Sequence, residues 1–236
     1  MDTKNRLAII KERIGEAAIR SGRDLADVTL IAVSKTFPSS AVSEMASLGQ
    51  VHFGENKIQE LVQKTDELGD GSSDHPIDWH FIGHLQRNKA KDLIGRTSLF
   101  HGLDSLRLAN ALQPRLEMRD STLNCLVQVN VSGEASKFGV EPSQLDSFMD
   151  GLSGVARLKI VGLMTLASPV ENPEDARGEF AEMKRLAEGV ADRFQTGSLV
   201  LSMGMSADFE VAIEEGATHV RIGSALFGVR HSRIPE

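Results

Sequence analysis

Short runs of β-branched and apolar residues alternate along the chain with longer stretches in which apolar positions recur every three or four residues. The first pattern reads as buried strand and the second as amphipathic helix. Strands are predicted over Val28–Lys35, Val51–Glu55, Asp78–Gly83, Leu99–Leu103, Asn124–Val131, Leu158–Thr165, Leu199–Ser202 and His219–Ile222, with seven helical segments between them. The clearest helical segment is Pro173–Phe194, where Phe180, Met183, Leu186, Ala187, Val190 and Phe194 share a face. An N-terminal helix is expected as well, because Leu7, Ile10, Ile14 and Ala17 align on one side of it.

Strictly alternating strands and helices imply βα units on a parallel sheet. Eight of them in this length favour a closed (β/α)8 TIM barrel, preceded by the N-terminal helix, over an open doubly wound sheet. The fit is loosest at the second and fourth strands. No G-x-G-x-x-G follows the first strand, which argues against dinucleotide binding. The most loop-like segment, Gly69–Pro76, is too short to separate domains. Residues 1–236 are therefore expected to form a single domain.

Composition narrows the partners. The 236 residues are 41% hydrophobic and 25% charged, with a net charge of −7. An acidic chain lacks the clustered basic face that neutralises phosphates, so no nucleic-acid partner is expected. No apolar run approaches the roughly 18 residues of a membrane helix. The N-terminal stretch carries Asp2, Glu12 and Glu16 and has no apolar core of the targeting kind, so a cytoplasmic protein is expected. The single cysteine, Cys125, lies in the apolar run "NCLVQVNV" and reads as a buried core thiol.

Candidate chemistry begins with "LIAVSKTFP", where Lys35 sits at the end of the first predicted strand. In a barrel of this kind the loops after the strands converge on one mouth, and function collects there. Polar residues do collect at the predicted strand ends. "GEN" follows strand two and "WHFIGH" forms strand three. Gln128 to Ser132 end strand five, and Met164 and Thr165 end strand six. "SMGMS" follows strand seven and "RIGSALFG" carries strand eight into its helix. In the last two, glycines permit close backbone approach, hydroxyls donate, and a helix N-terminus follows; the loops after strands seven and eight are a frequent phosphate site in barrels.

A lysine after strand one and a phosphate cradle after strands seven and eight face each other around a closed barrel. Pyridoxal 5′-phosphate (PLP), with an aldehyde at one end and a phosphate at the other, spans such a pair, and a desolvated lysine is the group that forms its Schiff base.

The motifs "AVSKTFP", "FGENKIQE", "WHFIGHLQRNK", "LVQVNVSGEASKFG", "GLMTLA" and "SMGMSADFEVAIEEGATHVRIGSALFG" run from residue 32 to 228. With them the chain closely resembles the PLP homeostasis proteins, which share the barrel of the alanine racemase N-terminal domain. The resemblance implies that Lys35 carries the Schiff base, that Ser206, Gly223 and Ser224 hold the phosphate, and that Arg221 approaches the pyridine nitrogen. It places Asn56, His80 and Ser202 in the lining of the same pocket. Two positions depart from the family pattern: His84 stands where the family usually has proline, and Arg87 where it has serine.

An arginine at the pyridine nitrogen keeps that nitrogen unprotonated and makes the ring a weak electron sink. Two-base racemisation needs a second acid or base opposite the lysine. Alanine racemase supplies a tyrosine from a C-terminal β-domain, whereas this chain has no tyrosine and ends shortly after its last strand. His80 and His84 are the other candidates for that base, and their i, i+4 spacing invites a metal reading too, but no third ligand stands at suitable spacing. No metal site and no catalytic residue are expected. The leading expectation is a monomeric PLP-binding protein that stores the cofactor or delivers it to PLP-requiring apoenzymes. A PLP-dependent amino-acid racemase of low activity is the alternative, and an aldolase-like barrel using Lys35 on a sugar phosphate is a third.

Overall fold

The N-terminal amphipathic stretch forms α1 (Thr3–Arg20) in the computed structural model, which describes residues 2–71, 74–134, 137–194 and 199–228. Asp2 caps it, its side chain accepting from the Asn5 backbone N–H at 2.7 Å. All four residues expected on its apolar face are buried. The eight predicted strands are all present: β1 (Thr29–Val33), β2 (His52–Glu55), β3 (Asp78–Phe81), β4 (Leu99–Leu103), β5 (Leu123–Gln128), β6 (Leu158–Met164), β7 (Val200–Ser202) and β8 (His219–Ile222). Between them run α2 (Ser39–Ser47), α3 (Ile58–Leu68), α4 (Ala90–Leu93), α5 (Leu106–Met118), α6 (Leu145–Gly151), α7 (Arg177–Gly189) and α8 (Phe209–Glu214), and a single turn, α9 (Ser224–Phe227), follows β8.

Every strand pairs in parallel with its sequence neighbour, and β8 closes onto β1 from Thr29↔His219 to Ala32↔Ile222. The result is the expected closed barrel. Strands two and four, the loosest in sequence, pair on both sides like the others.

Six of the eight strands have an end that moves by one to three residues, the fifth most, stopping at Gln128 rather than Val131, and two further differences bear on the site and the core. The first strand stops at Val33 rather than Lys35, because Thr36 takes a left-handed φ of 70° and the chain turns there. Lys35 therefore sits in the turn beyond the strand, half-buried. The long predicted helix Pro173–Phe194 is α7 with a 3-10 turn at each end, so that Phe180, Met183 and Ala187 are buried and Phe194 is only partly so. In the loop Gly69–Pro76, Ser72 and Ser73 lie outside the described residues, as do Ala135 and Ser136 of the "SGEASKFG" motif.

Alternation gives each strand two faces. On the outer face Phe53, Trp79, Phe81, Phe100, Cys125 and Val220 pack beneath the helices in the main core. Cys125 is fully buried, and that burial pushes its thiol pKa up. The residues between them point into the barrel. There, Leu99, Leu126, Val161 and Met164 form a small separate apolar cluster. Polar groups share the interior with it: His80, His101, Ser202 and Arg221 are all buried. A register shift opposite Cys125 and Leu126 brings Gly162 against β7, where a Cβ would lie 1.9 Å from the Val200 carbonyl oxygen. Only glycine fits that approach.

Candidate functional site

The turn after β1 is fixed from three directions. Behind it, the Ser34 hydroxyl donates to Glu55 Oε1 at 2.6 Å, and Lys64 Nζ donates to the Ser34 carbonyl at 2.8 Å and to the same Glu55 oxygen. Beside it, the Thr36 N–H donates to Glu60 Oε2 at 2.6 Å. On the side of the neighbouring β8, the Phe37 ring stacks on Phe227 with centroids 5.0 Å apart. Burial pushes the Glu55 carboxyl up, while Lys64 and Ser34 pull it back. Lys35 thus projects from a backbone with little freedom to move. Glu55 entered the sequence analysis only as the middle of the "GEN" strand end, and Lys64 was not singled out there. The signal was present for Lys64, which falls on the buried face of α3 with Ile58 and Leu61.

The two hydroxyls expected after β7 and β8 do meet. Ser224 Oγ lies 3.4 Å from Ser206 Oγ. The turn carrying Ser206 is built by Asp208, whose Oδ1 accepts from the Met205 N–H at 2.6 Å. Gly204 enters it with φ 89°, and a Cβ there would sit 2.6 Å from that of Ala212. Gly223 packs on the end of β1, where a Cβ would be 3.3 Å from the Val33 carbonyl oxygen. The β8 turn is therefore seated directly beside the segment that leads to Lys35. α9 is a single turn, so the hydroxyls and backbone N–H groups outweigh any helix dipole here.

Deeper in the barrel, Arg221 donates from Nη1 to Ser202 Oγ at 2.6 Å and from Nη2 to the Thr165 carbonyl at 2.7 Å. Burial lowers its pKa to about 10, and Asp208 opposes the shift, so the guanidinium stays charged at neutral pH. His80 reaches this pair through a residue the sequence reading did not single out: His80 Nδ1 lies 3.0 Å from His101 Nε2, and His101 Nδ1 lies 2.9 Å from Ser202 Oγ. At its other nitrogen, His80 Nε2 is 3.0 Å from His52 Nδ1, which is 3.2 Å from Asp78. Asp78, His52 and His80 thus bring ligand-type atoms within 4.8 Å of one another. His80 finds across the strands the third partner that its own stretch of sequence lacks.

Asn56, just after β2, has a buried Oδ1 without a hydrogen-bond partner. An orphaned acceptor at the mouth fits a ligand that donates to it. His84 is remote from His80's network. Its Nδ1 lies 2.8 Å from Asp104 Oδ2, and its ring stacks on Phe138 with centroids 3.9 Å apart. Arg87 is exposed and lines, with His84 and Arg107, a groove of about 920 Å³. That groove lies between the segment after β3 and α5.

A closed barrel with a lysine turn after its first strand and paired hydroxyls after its last two defines a class, and the sequence matches the alanine racemase N-terminal domain over residues 11–231. Full-length relatives make the assignment finer. The pyridoxal phosphate homeostasis proteins of Aquifex aeolicus and Escherichia coli are 41% and 39% identical, covering 98% and 97% of this chain and 99% and 97% of theirs. The chain belongs to the pyridoxal phosphate homeostasis protein family. Among solved structures, PipY of Synechococcus elongatus with PLP bound superposes with a TM-score of 0.81 at 33% identity, covering 96% of this chain and all of that one. An alanine racemase of Clostridium difficile shares the fold alone, with a TM-score of 0.68 at 15% identity over 56% of its own length. Among the described residues, no helix is long and apolar enough to cross a membrane.

Proposed function

We propose that this chain, as a single barrel domain, binds PLP on Lys35 and holds it for intracellular vitamin B6 homeostasis without substantial turnover of its own. The observation that carries the reading is the seat formed where β7 and β8 end: Ser206 and Ser224 within 3.4 Å of each other, with Gly223 packed against the strand that leads to Lys35. The name and bound ligand of the relatives point the same way.

In this reading Ser206, Ser224 and the Gly223 backbone take the phosphate, and Lys35 takes the aldehyde. Arg221 faces the pyridine nitrogen, and Asn56, His80 and Ser202 line the ring. When bound, PLP supplies an electrophilic carbon and an aromatic ring able to delocalise negative charge. A charged guanidinium donates to the ring nitrogen without giving up its proton, which restrains that delocalisation. His80 is a poor second base, because both its nitrogens are already engaged by His52 and His101. The chain carries no tyrosine. The protein would act as a cytoplasmic monomer that releases cofactor to PLP-requiring apoenzymes.

Borohydride reduction of the PLP-loaded protein, followed by peptide mapping, tests the attachment. The adduct is expected on the peptide containing Lys35 and should vanish in Lys35→Ala. Adduct retained elsewhere at equal stoichiometry in that variant overturns the assignment. Chiral analysis after incubation with single L-amino acids tests the rest, and racemisation above the rate of free PLP would establish the enzymatic alternative.

A further inference from the structure

The interior histidines form one continuous row of hydrogen bonds, and its direction is fixed at one end. Asp78 begins β3 at the bottom of the barrel, opposite the mouth, where its carboxylate and the His52 ring are both partly exposed. From there the contacts run His52 Nδ1 to His80 Nε2, His80 Nδ1 to His101 Nε2, and His101 Nδ1 to Ser202 Oγ, each 2.9–3.0 Å. The row ends where Arg221 Nη1 meets the same Ser202 oxygen.

A neutral imidazole has one N–H and one lone pair, so a row of them can point only one way at a time. Burial holds His80 down at about 3 and His101 well below its ordinary range, so both rings are neutral at pH 7. Burial pushes the Asp78 carboxyl up, but hydrogen bonds from His52 and Ser98 and the nearby histidines outweigh this and keep it ionised. A carboxylate only accepts. His52 Nδ1, 3.2 Å from it, must therefore carry hydrogen, which it shares with His80 Nε2. His80 then donates from Nδ1 to His101, and His101 donates from Nδ1 to Ser202. Ser202 Oγ accepts from both His101 and Arg221, and its own hydrogen is left over for an acceptor beside Arg221. In the opposite direction Ser202 gives that hydrogen to His101, and a bare lone pair on His52 faces the carboxylate. His219, whose ring lies 6.1 Å from His80 and 6.4 Å from His101, stands outside the row with its Nδ1 on the Thr218 hydroxyl.

We infer that Asp78 is a positioning residue for the ligand pocket at the far end of the barrel: it orients the His52, His80 and His101 tautomers so that the Ser202 hydroxyl is free to donate to the bound cofactor next to Arg221. The final donation rests on the reading of that pocket as a PLP site. The orientation of the row does not.

The experiment separates the two. Imidazole 15N shifts of the full-length, ligand-free chain assign the tautomers directly, and wild type should show His80 and His101 protonated at Nδ1. Asp78→Asn keeps the shape but can donate to His52, so both rings should switch to Nε2–H. Protonation of His101 at Nε2 in wild type overturns the inference, as does an unchanged tautomer in the variant. If Asp78→Asn does not fold, the wild-type spectrum alone decides the direction. With PLP added, Asp78→Asn should bind about fivefold more weakly, the effect of one net hydrogen bond. Ser202→Ala should bind equally weakly, and the double variant no more so. Equal PLP affinity in wild type and Asp78→Asn overturns the link to the pocket. A wild-type chain that binds no PLP refutes the functional reading while leaving the tautomer result standing.

Discussion

The two faces of the eight strands obey different rules. The outer face, beneath the helices, is apolar and close-packed: Phe53, Phe81 and Phe100 are fully buried there without polar company. The inner face is just as dry but holds His80, His101, Ser202 and Arg221 beside one small apolar cluster. On the first face burial itself stabilises, because apolar area leaves water. On the second burial is costly, and it is tolerated because each polar group hands a hydrogen to the next. The comparison explains why the fold is set by one face of each strand and the site by the other.

Truncation on the outer face should break this balance hardest. Phe81, stacked on Phe100 at 5.9 Å, loses its whole ring in Phe81→Ala. A loss of about 3–5 kcal/mol in urea unfolding is expected for a buried aromatic reduced to alanine.

Acid should act on the inner face next. His80 and His219 have folded pKa values lowered to about 3 and about 4, mainly by burial. Below about 6.5 the unfolded chain takes up protons that the folded chain refuses, so stability is full above that pH and falls as pH drops towards 4. At pH 5 each such histidine should cost on the order of 2 kcal/mol relative to neutral pH. His219→Gln should flatten that acid slope by one histidine's share, measured as the pH dependence of the unfolding midpoint; an unchanged slope would place the histidine's effect elsewhere.

The smallest effect belongs to the rim. His84 pairs with Asp104 and stacks on Phe138 at a half-exposed position, and such contacts contribute less than about 1 kcal/mol. His84→Ala should leave thermal unfolding almost unchanged. A large loss would mean that the departure from proline at this position is structural.

Much of this was legible in the chain. β4 and β8 were bounded correctly because their apolar runs end at clear turn signals, and Lys35, Ser206 and Ser224 stand at strand ends where a barrel gathers its chemistry. The turn that moves Lys35 off β1 was not legible, since a left-handed threonine has no sequence signature. Nor was the clamp of Glu55 and Lys64, which looks like an ordinary strand end and an ordinary helical charge until α3 folds back.

By itself, the sequence determined the alternation of strands and helices, and with it the barrel, because burying one face per element is a local demand that each segment meets with its own residues. It also determined which residues could not belong to the outer core. Only the tertiary structure decided which of them meet. His101 and Ser202 are 101 positions apart and touch at 2.9 Å, and Asp78 reaches Arg221 along a row of six side chains from five different strands, counting both ends. Hydrogen bonds run between strands across the closed interior, and no periodicity along the chain encodes distances that exist only once the barrel has closed.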